Sequence, residues 1–333
     1  MIVRFGYVAM SVTVQNASPS KTMTMSSFTK IGDREAAIRK LERIAAENLH
    51  NTLRLLRHNR ASDIQVYRFS SKLIPLATHQ DLRDWDPFQA LAADFAEVGN
   101  YVKANRMRVS FHPDHFTVLS TPRPEVLQSS INDLKYHKAM LEAMGLGAEA
   151  KNNIHIGGAY GDKVTSGQRF VEQVSALDLS LRERLTLEND DKTFNAVETL
   201  EACKLTGLPM VLDIHHQWVN NEGEKPWELW PGILDTWKGE LAQAGSSADY
   251  PLPPKIHASS PKSEKDPRGH AEGVLVEPLL TFLRNIAGYT DRIDVMLEAK
   301  LKDEALFGLM NELRLQEDNG VKVLDGASVE IMP

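Results

Sequence analysis

The chain is predicted to fold as one α/β domain, a closed (β/α)8 TIM barrel with its chemistry at the C-terminal ends of the strands. Three observations carry this expectation. Short β-rich runs alternate with longer amphipathic runs throughout the 333 residues, the pattern of a parallel sheet with crossover helices. Eight such pairs follow in regular succession, and closure into a barrel would remove both sheet edges. Imidazoles and carboxylates stand at the ends of six successive strand runs, the third to the eighth, which is where a barrel of this kind gathers function.

In order, the strand runs are Ile2–Tyr7, Ile64–Phe69, Arg108–His112, Asn153–Ile156, Leu185–Glu188, Met210–Asp213, Lys255–Ala258 and Ile293–Glu298. The helical patterns between and after them cover 33–59, 86–104, 124–144, 168–181, 194–205, 227–243, 275–287 and 302–315. No composition shift marks a linker. Residues 1–315 therefore read as the barrel, and 316–333 as a C-terminal tail appended to it. The most loop-like stretches are Gly245–Pro254 and Ser259–Arg268, the latter rich in Ser, Pro and Lys, together with the long Ser/Thr-rich segment Val8–Ile31.

Composition narrows the function classes. With 42% hydrophobic and 25% charged residues the chain has material for a sizeable core and is not of disordered composition. Its one cysteine, Cys203, lies in a helical pattern, so neither a disulfide framework nor a thiolate metal site is expected. The start, Met-Ile-Val-Arg-Phe-Gly-Tyr, lacks a basic segment followed by an apolar one, and no run of about 18 apolar residues occurs. A cytoplasmic protein without a membrane partner is expected. The formal charge of -7 argues on its face against nucleic acid, but a carboxylate-rich metal site contributes negative charge that its own cations cancel.

Of the eleven histidines, His50, His58 and His137 fall within helical patterns, while His79, His112, His115, His155, His215, His216, His257 and His270 lie near or beyond strand ends. Glu188, Asp213 and Glu298 join them there. A shell of imidazole and carboxylate alone suits Mn, Zn or Fe, and Mg alone would attract fewer histidines. The donors exceed what one ion takes, so two or three divalent ions with a bridging carboxylate are expected. A lone histidine at a strand end is ordinarily a satisfied polar residue; the argument rests on the joint array. Asp213-Ile214-His215-His216 is the strongest local signal, because an acid and an imidazole three apart after a strand curl onto one ion, with His215 as a supporting partner.

Other residues carry two readings each. Tyr7 ends the first strand and either lines the site or packs the barrel top. Lys255 shares a face with His257 by alternation, in the site or in a salt bridge. Lys262, Lys265 and Arg268, beside His270, either meet phosphates or are merely solvated.

With these residues in view, the chain resembles the UV-damage endonuclease family over nearly the whole barrel. The matching stretches are Phe5-Gly6-Tyr7, Lys21-Thr22-Met23, Glu47-Asn48-Leu49, Arg68 to Pro75 followed by His79, His112-Pro113, His155 to Gly161, Leu187 to Asp190, Asp213 to His216, Lys255-Ile256-His257, Gly269-His270-Ala271 and Asp294 to Lys300. The resemblance implies a barrel similar to endonuclease IV and hydrolysis of the phosphodiester 5′ to photoproducts (cyclobutane pyrimidine dimers, 6-4 photoproducts) in UV-damaged double-stranded DNA; a monomer is expected, because a nuclease that must embrace a duplex gains nothing obvious from pairing. It implies divalent ions, Mn foremost and Zn, Mg or Co as alternatives. By the same resemblance His112, His155 and Glu188 hold one ion, Glu188, Asp213, His257 and Glu298 a second, and His216 and His270 a third. His79, Lys255 and Tyr7 stand close by with Glu188 as catalytic residues, and the lysine at the position of Lys255 can be carboxylated.

One departure bears on lesion preference. Family members commonly follow the third-strand His-Pro with Gly-Gln and an aromatic that probe the duplex at the lesion, whereas this chain reads Pro113-Asp114-His115-Phe116. His115 still donates a hydrogen bond and Phe116 still wedges between bases. Lesion contact is thus expected from His115, Phe116 and Tyr7, and phosphate contact from Lys262, Lys265 and Arg268. The rivals are an abasic-site endonuclease or a sugar isomerase on the same barrel, or a non-catalytic binder of damaged DNA. An open groove favours a nuclease, a closed pocket an isomerase, and an intact ligand set argues against the binder.

Overall fold

The computed structural model describes residues 1–114, 116–239 and 252–332. Eight parallel strands close on themselves: β1 (Ile2–Val8), β2 (Val66–Arg68), β3 (Arg108–Phe111), β4 (Lys151–His155), β5 (Leu185–Glu188), β6 (Met210–Asp213), β7 (Lys255–Ala258) and β10 (Arg292–Leu297). Each pairs with the next, and β10 returns to β1 along Ile2↔Arg292 to Tyr7↔Leu297. This is the predicted TIM barrel. The strands are short and nearly all buried, as strands covered on both faces must be.

The helices surround the strands. The longest, Arg34–Ala61, is capped by Asp33, whose side chain accepts from Ala36 N, and buries Leu49, Leu53 and Leu56 against the barrel. The expected helix at 86–104 is two pieces, Pro87–Ala90 and Ala92–Ala104, and that at 168–181 begins earlier, as Lys163–Ser175 capped by Asp162. Pro226–Glu228 and Trp230–Thr236 occupy the first part of the pattern expected over 227–243, beginning one residue early. Its end, and most of the loop Gly245–Pro254, lie outside the described residues.

Alternation along β1 decides what faces the lumen. The Arg4 guanidinium bonds Asp294 of β10 at 2.7 Å, and Arg108 of β3 reaches the same carboxylate at 2.8 Å, so even-numbered β1 residues point inward. Gly6 follows this parity, and an added Cβ there would meet Val66 O at 2.1 Å; only glycine permits that approach of β1 to β2. Phe5 and Tyr7 face the helices.

Two segments have more order than expected. Ser259–Arg268 is largely a hairpin, with β8 (Pro261–Ser263) antiparallel to β9 (Asp266–His270). Beyond residue 316 the chain forms β11 (Val321–Val323) and β12 (Ser328–Ile331), and β12 pairs antiparallel with the start of β1. Among the described residues no helix is long and apolar enough to cross a membrane.

Candidate metal centre

The parity that sends Arg4 inward also turns His112, His155, Glu188, Asp213, His257 and Glu298 toward the lumen mouth at the strand ends. Donor atoms of His112, His155 and Glu188 lie within 4.8 Å of one another, as do those of Glu188, Asp213 and His216, and those of Glu188, His257 and Glu298. Glu188 is common to all three groups. Its Oε1 lies 3.1 Å from His257 Nδ1 and 3.6 Å from His216 Nδ1, and its Oε2 3.2 Å from His112 Nε2. Asp213 groups with Glu188 and His216, and is the strand-register partner of His257. His270, brought in by the hairpin, reaches the cluster only at its edge, 3.9 Å from Glu298 Oε2.

The donors are held by partners that fix their orientation, as metal ligands require. The Nδ1 atoms of His112, His155 and His216 face backbone carbonyls of Pro113 (3.0 Å), Glu188 (3.2 Å) and Asn189 (3.0 Å). Among the described residues no hydrogen bond occupies Nε2 of His155 or of His216. Asn189 clamps Asp213 by bonding its N–H at 2.9 Å and its carbonyl at 3.0 Å. His215 is a supporting partner: its ring binds Ser259 Oγ at 2.6 Å and Pro267 O at 2.7 Å, fastening the hairpin that carries His270.

Electrostatics are consistent with a cluster that could hold cations. Burial opposes the charge of Glu188, but the rings of His257, His155 and His112 outweigh it and hold the carboxyl well below its usual range. Glu298 behaves likewise, with Arg68 and His257 opposing burial. Burial also opposes the charged form of His216, yet Asp213 and Glu188 raise its pKa to about 9. His257 Nδ1 lies 3.1 Å from both Glu188 Oε1 and Glu298 Oε1, while among the described residues its Nε2 and Oδ2 of Asp213 are buried without a hydrogen-bond partner. Buried polar atoms are seldom left so, and imidazole nitrogens among carboxylates are what a divalent cation would satisfy. The residues fit the group.

The remaining expected residues fall in different places. Lys255 is in the lumen, 2% exposed, with Nζ 3.3 Å from Ser110 Oγ; burial, with Arg108 and Arg68, brings its pKa to about 7. Tyr7 is a correction. Its ring is fully buried between β1 and the helix Arg34–Ala61, where the hydroxyl donates to Asn59 Oδ1 at 2.7 Å, because odd-numbered β1 residues face outward. His79 caps the turn Gln80–Leu82, its Nδ1 accepting from Asp81 N at 3.2 Å. Phe116 is 74% exposed on the loop after β3, and His115 lies outside the described residues. Lys262 bonds Asp266 at 3.1 Å and Arg268 bonds Asp191 at 2.6 Å, while Lys265 is exposed at the hairpin turn.

Residues not foreseen are Arg68, in contact with Glu298, Asn153, whose amide donates to Glu188 Oε2, and Asn189. Asn153 and Arg68 share the lumen parity of the ligands, a signal that a search for imidazole and carboxylate alone passes over. Beside the cluster a cavity of about 320 Å³ is lined by Pro113, Thr117, His155, Gly157, Asp190 and His216. Gly157, at φ 109°, leaves room that a Cβ would lose against Val118.

A family model described as UV-endonuclease UvdE matches residues 3–331. The chain belongs to that family. The UV DNA damage endonuclease of Bacillus pumilus (strain SAFR-032) is 42% identical over 331 residues, with 99% of each chain covered. That of Halalkalibacterium halodurans is 40% identical over 334 residues, covering 100% of both. The crystal structure of SacUVDE superposes with a TM-score of 0.79 at 28% identity, over 95% of this chain and 99% of that one. Endonuclease IV from Thermus thermophilus shares the fold, with a TM-score of 0.53 at 14% identity over 95% and 99% of the two chains. As a member of the UvdE family the chain is a UV-damage repair endonuclease.

Proposed function

We propose that this endonuclease hydrolyses the phosphodiester 5′ to cyclobutane pyrimidine dimers and 6-4 photoproducts in duplex DNA. The reading includes two or three divalent ions, Mn foremost, held by His112, His155, Glu188, Asp213, His216, His257, His270 and Glu298. The observation that carries it is Glu188, buried at the junction of three donor groups and flanked by His257, whose Nε2 is buried without a hydrogen-bond partner among the described residues. Clustered divalent ions supply a nucleophile at neutral pH and offset the charge on phosphate oxygens.

The protein's own part is orientation and proton placement. Asn153 and His112 hold Oε2 of Glu188 while His257 and His216 flank Oε1, so the carboxylate spans the groups instead of turning to one. Lys255 Nζ, with a pKa of about 7, holds or releases a proton at working pH. Its neutral amine is also the form that takes up carbon dioxide, in keeping with the carboxylation that family resemblance implies. Phe116 stands out from the loop after β3 as a wedge for a duplex already weakened by the lesion. His115 and Lys265 would contact the DNA beside it, and Lys262 and Arg268 would do so by exchanging carboxylate partners for phosphates.

The test is incision, with Mn supplied, of a duplex carrying one cyclobutane dimer, beside undamaged and abasic-site duplexes. Cutting just 5′ of the dimer, lost in Glu188→Gln, is expected; cutting only at the abasic site would move the activity to the neighbouring endonuclease class.

A further inference from the structure

The turn that leaves β10 carries a lysine whose circumstances are unfavourable in several ways at once. Lys302 has φ 51°, a left-handed conformation that non-glycine residues adopt under constraint. It opens the helix Lys302–Arg314, where the positive end of the helix dipole disfavours a cation. Its side chain is half-buried, and among the described residues no hydrogen bond or ion pair reaches its ammonium. Burial and the guanidinium of Arg68 press its pKa down, against the pull of Glu298.

The backbone around Lys302 leaves it little choice. Its N–H faces Ala299 O at 3.3 Å. The next residue, Asp303, is fully buried and is gripped by Val12 N at 2.9 Å, His58 Nε2 at 3.0 Å and the hydroxyl of Ser11. A half-buried lysine held in the turn four residues beyond Glu298, with no hydrogen bond or ion pair to its ammonium among the described residues, is a place prepared for an anion. The basic residues of the β8–β9 hairpin differ: Lys262 and Arg268 already hold carboxylates.

Resting on the function proposed above, we infer that Lys302 is a substrate-contacting residue whose ammonium takes a DNA phosphate at the β10 side of the cluster. Such a contact neutralises one phosphate and reads no sequence. Removing it weakens binding to damaged and undamaged duplex alike and lowers the salt dependence by one counterion's worth, a slope change of about 0.9.

The experiment uses full-length wild type, Lys302→Met, Lys302→Arg and Lys302→Gly. Fluorescence anisotropy follows a labelled duplex, with and without a cyclobutane dimer, in EDTA and in Mn, from about 50 to about 200 mM salt. The slope of log affinity against log salt is expected to shrink by about 0.9 in Lys302→Met and Lys302→Gly and to survive in Lys302→Arg, with an affinity loss of about threefold or more at low salt. Lys302→Gly relieves the left-handed backbone and is expected to melt no lower than wild type, so weakened binding there is not unfolding. An unchanged slope in Lys302→Met beside wild type that binds and incises the dimer duplex would overturn this inference alone. So would a change confined to melting temperature and Mn affinity, which would make Lys302 a charge balance for Glu298. Wild type that binds DNA but never cuts at the dimer, with the slope change present in Lys302→Met, would overturn the proposed function and leave the phosphate contact standing.

Discussion

Two polar clusters lie inside this barrel, one at its base and one at its mouth, and they are satisfied in opposite ways. At the base, Asp294 is fully buried and saturated: Arg4 binds both its oxygens at 2.7 Å and Arg108 adds a third bond at 2.8 Å. Burial opposes its charge, but the two guanidinium groups hold its pKa low. At the mouth, Glu188, Asp213 and Glu298 gather with five histidines, yet among the described residues His257 Nε2 and one oxygen of Asp213 are buried without a hydrogen-bond partner. The base closes on itself with protein charges. On the proposed reading the mouth is completed by cations from outside, so that one cluster serves stability and the other chemistry.

The largest expected effect breaks the mouth. Glu188→Gln keeps shape and volume but removes the charge common to the three donor groups. Incision of a dimer duplex is expected to fall by about 10³ or more, as for other charge-stabilising groups at reacting centres, with the thermal transition nearly unmoved. Loss of fold in this variant would show that the mouth, like the base, is structural.

Next is the base. Asp294→Asn leaves Arg4 and Arg108 without their counter-charge, and breaking a buried pair from one side costs about 3–5 kcal/mol. Urea denaturation should register that loss while Mn affinity stays at the wild-type value. A shift in Mn affinity instead would mean that the clusters are coupled through Lys255, whose pKa feels both Arg108 and Glu188.

A third effect is the stabilisation by the ion. A cation that binds only the folded state adds about 2.7 kcal/mol at a hundredfold excess over its dissociation constant. Scanning calorimetry of EDTA-treated protein with added Mn is expected to show a higher melting temperature, and His257→Ala is expected to lose most of the rise. An equal rise in both would place the ion elsewhere.

How far this contrast was legible in the sequence depended on parity. The barrel was readable because each strand is a short run between helical patterns, and the candidate donors were readable because His and Glu or Asp end successive strands. Which residues of β1 face inward was not: Phe5-Gly6-Tyr7-Val8 offers apolar groups to both faces, so Tyr7 was expected in the site and instead bonds Asn59 beneath a helix. Arg68 and Asn153 escaped because they support ligands without resembling them. The β8–β9 hairpin escaped because Lys262 to Asp266 has no apolar alternation to announce a strand.

The smallest effect tests the one acid near the mouth that resembles the base. Asp303 is fully buried like Asp294, but its partners are neutral donors and an imidazole: Val12 N–H, the Ser11 hydroxyl and His58. Burial alone would raise its pKa, yet these bonds, that of His58 foremost, lower it from 3.8 to about 2. A depressed carboxyl contributes stability that is present above its unfolded value and lost as pH falls through the folded one. The contribution of Asp303 should therefore hold above about pH 4 and fade toward pH 2. Because Asp303 grips Ser11 and Val12, the loss should appear first as local opening of the loop after β1, while Asp294, charge-paired, keeps the base closed. Hydrogen exchange across that pH range, corrected for intrinsic rates, is expected to show the Val12 amide losing about tenfold of its protection before the strands lose any. In Asp303→Asn the protection should already be reduced at neutral pH and should no longer depend on acid; protection that still fell with acid in this variant would assign the titration to another group.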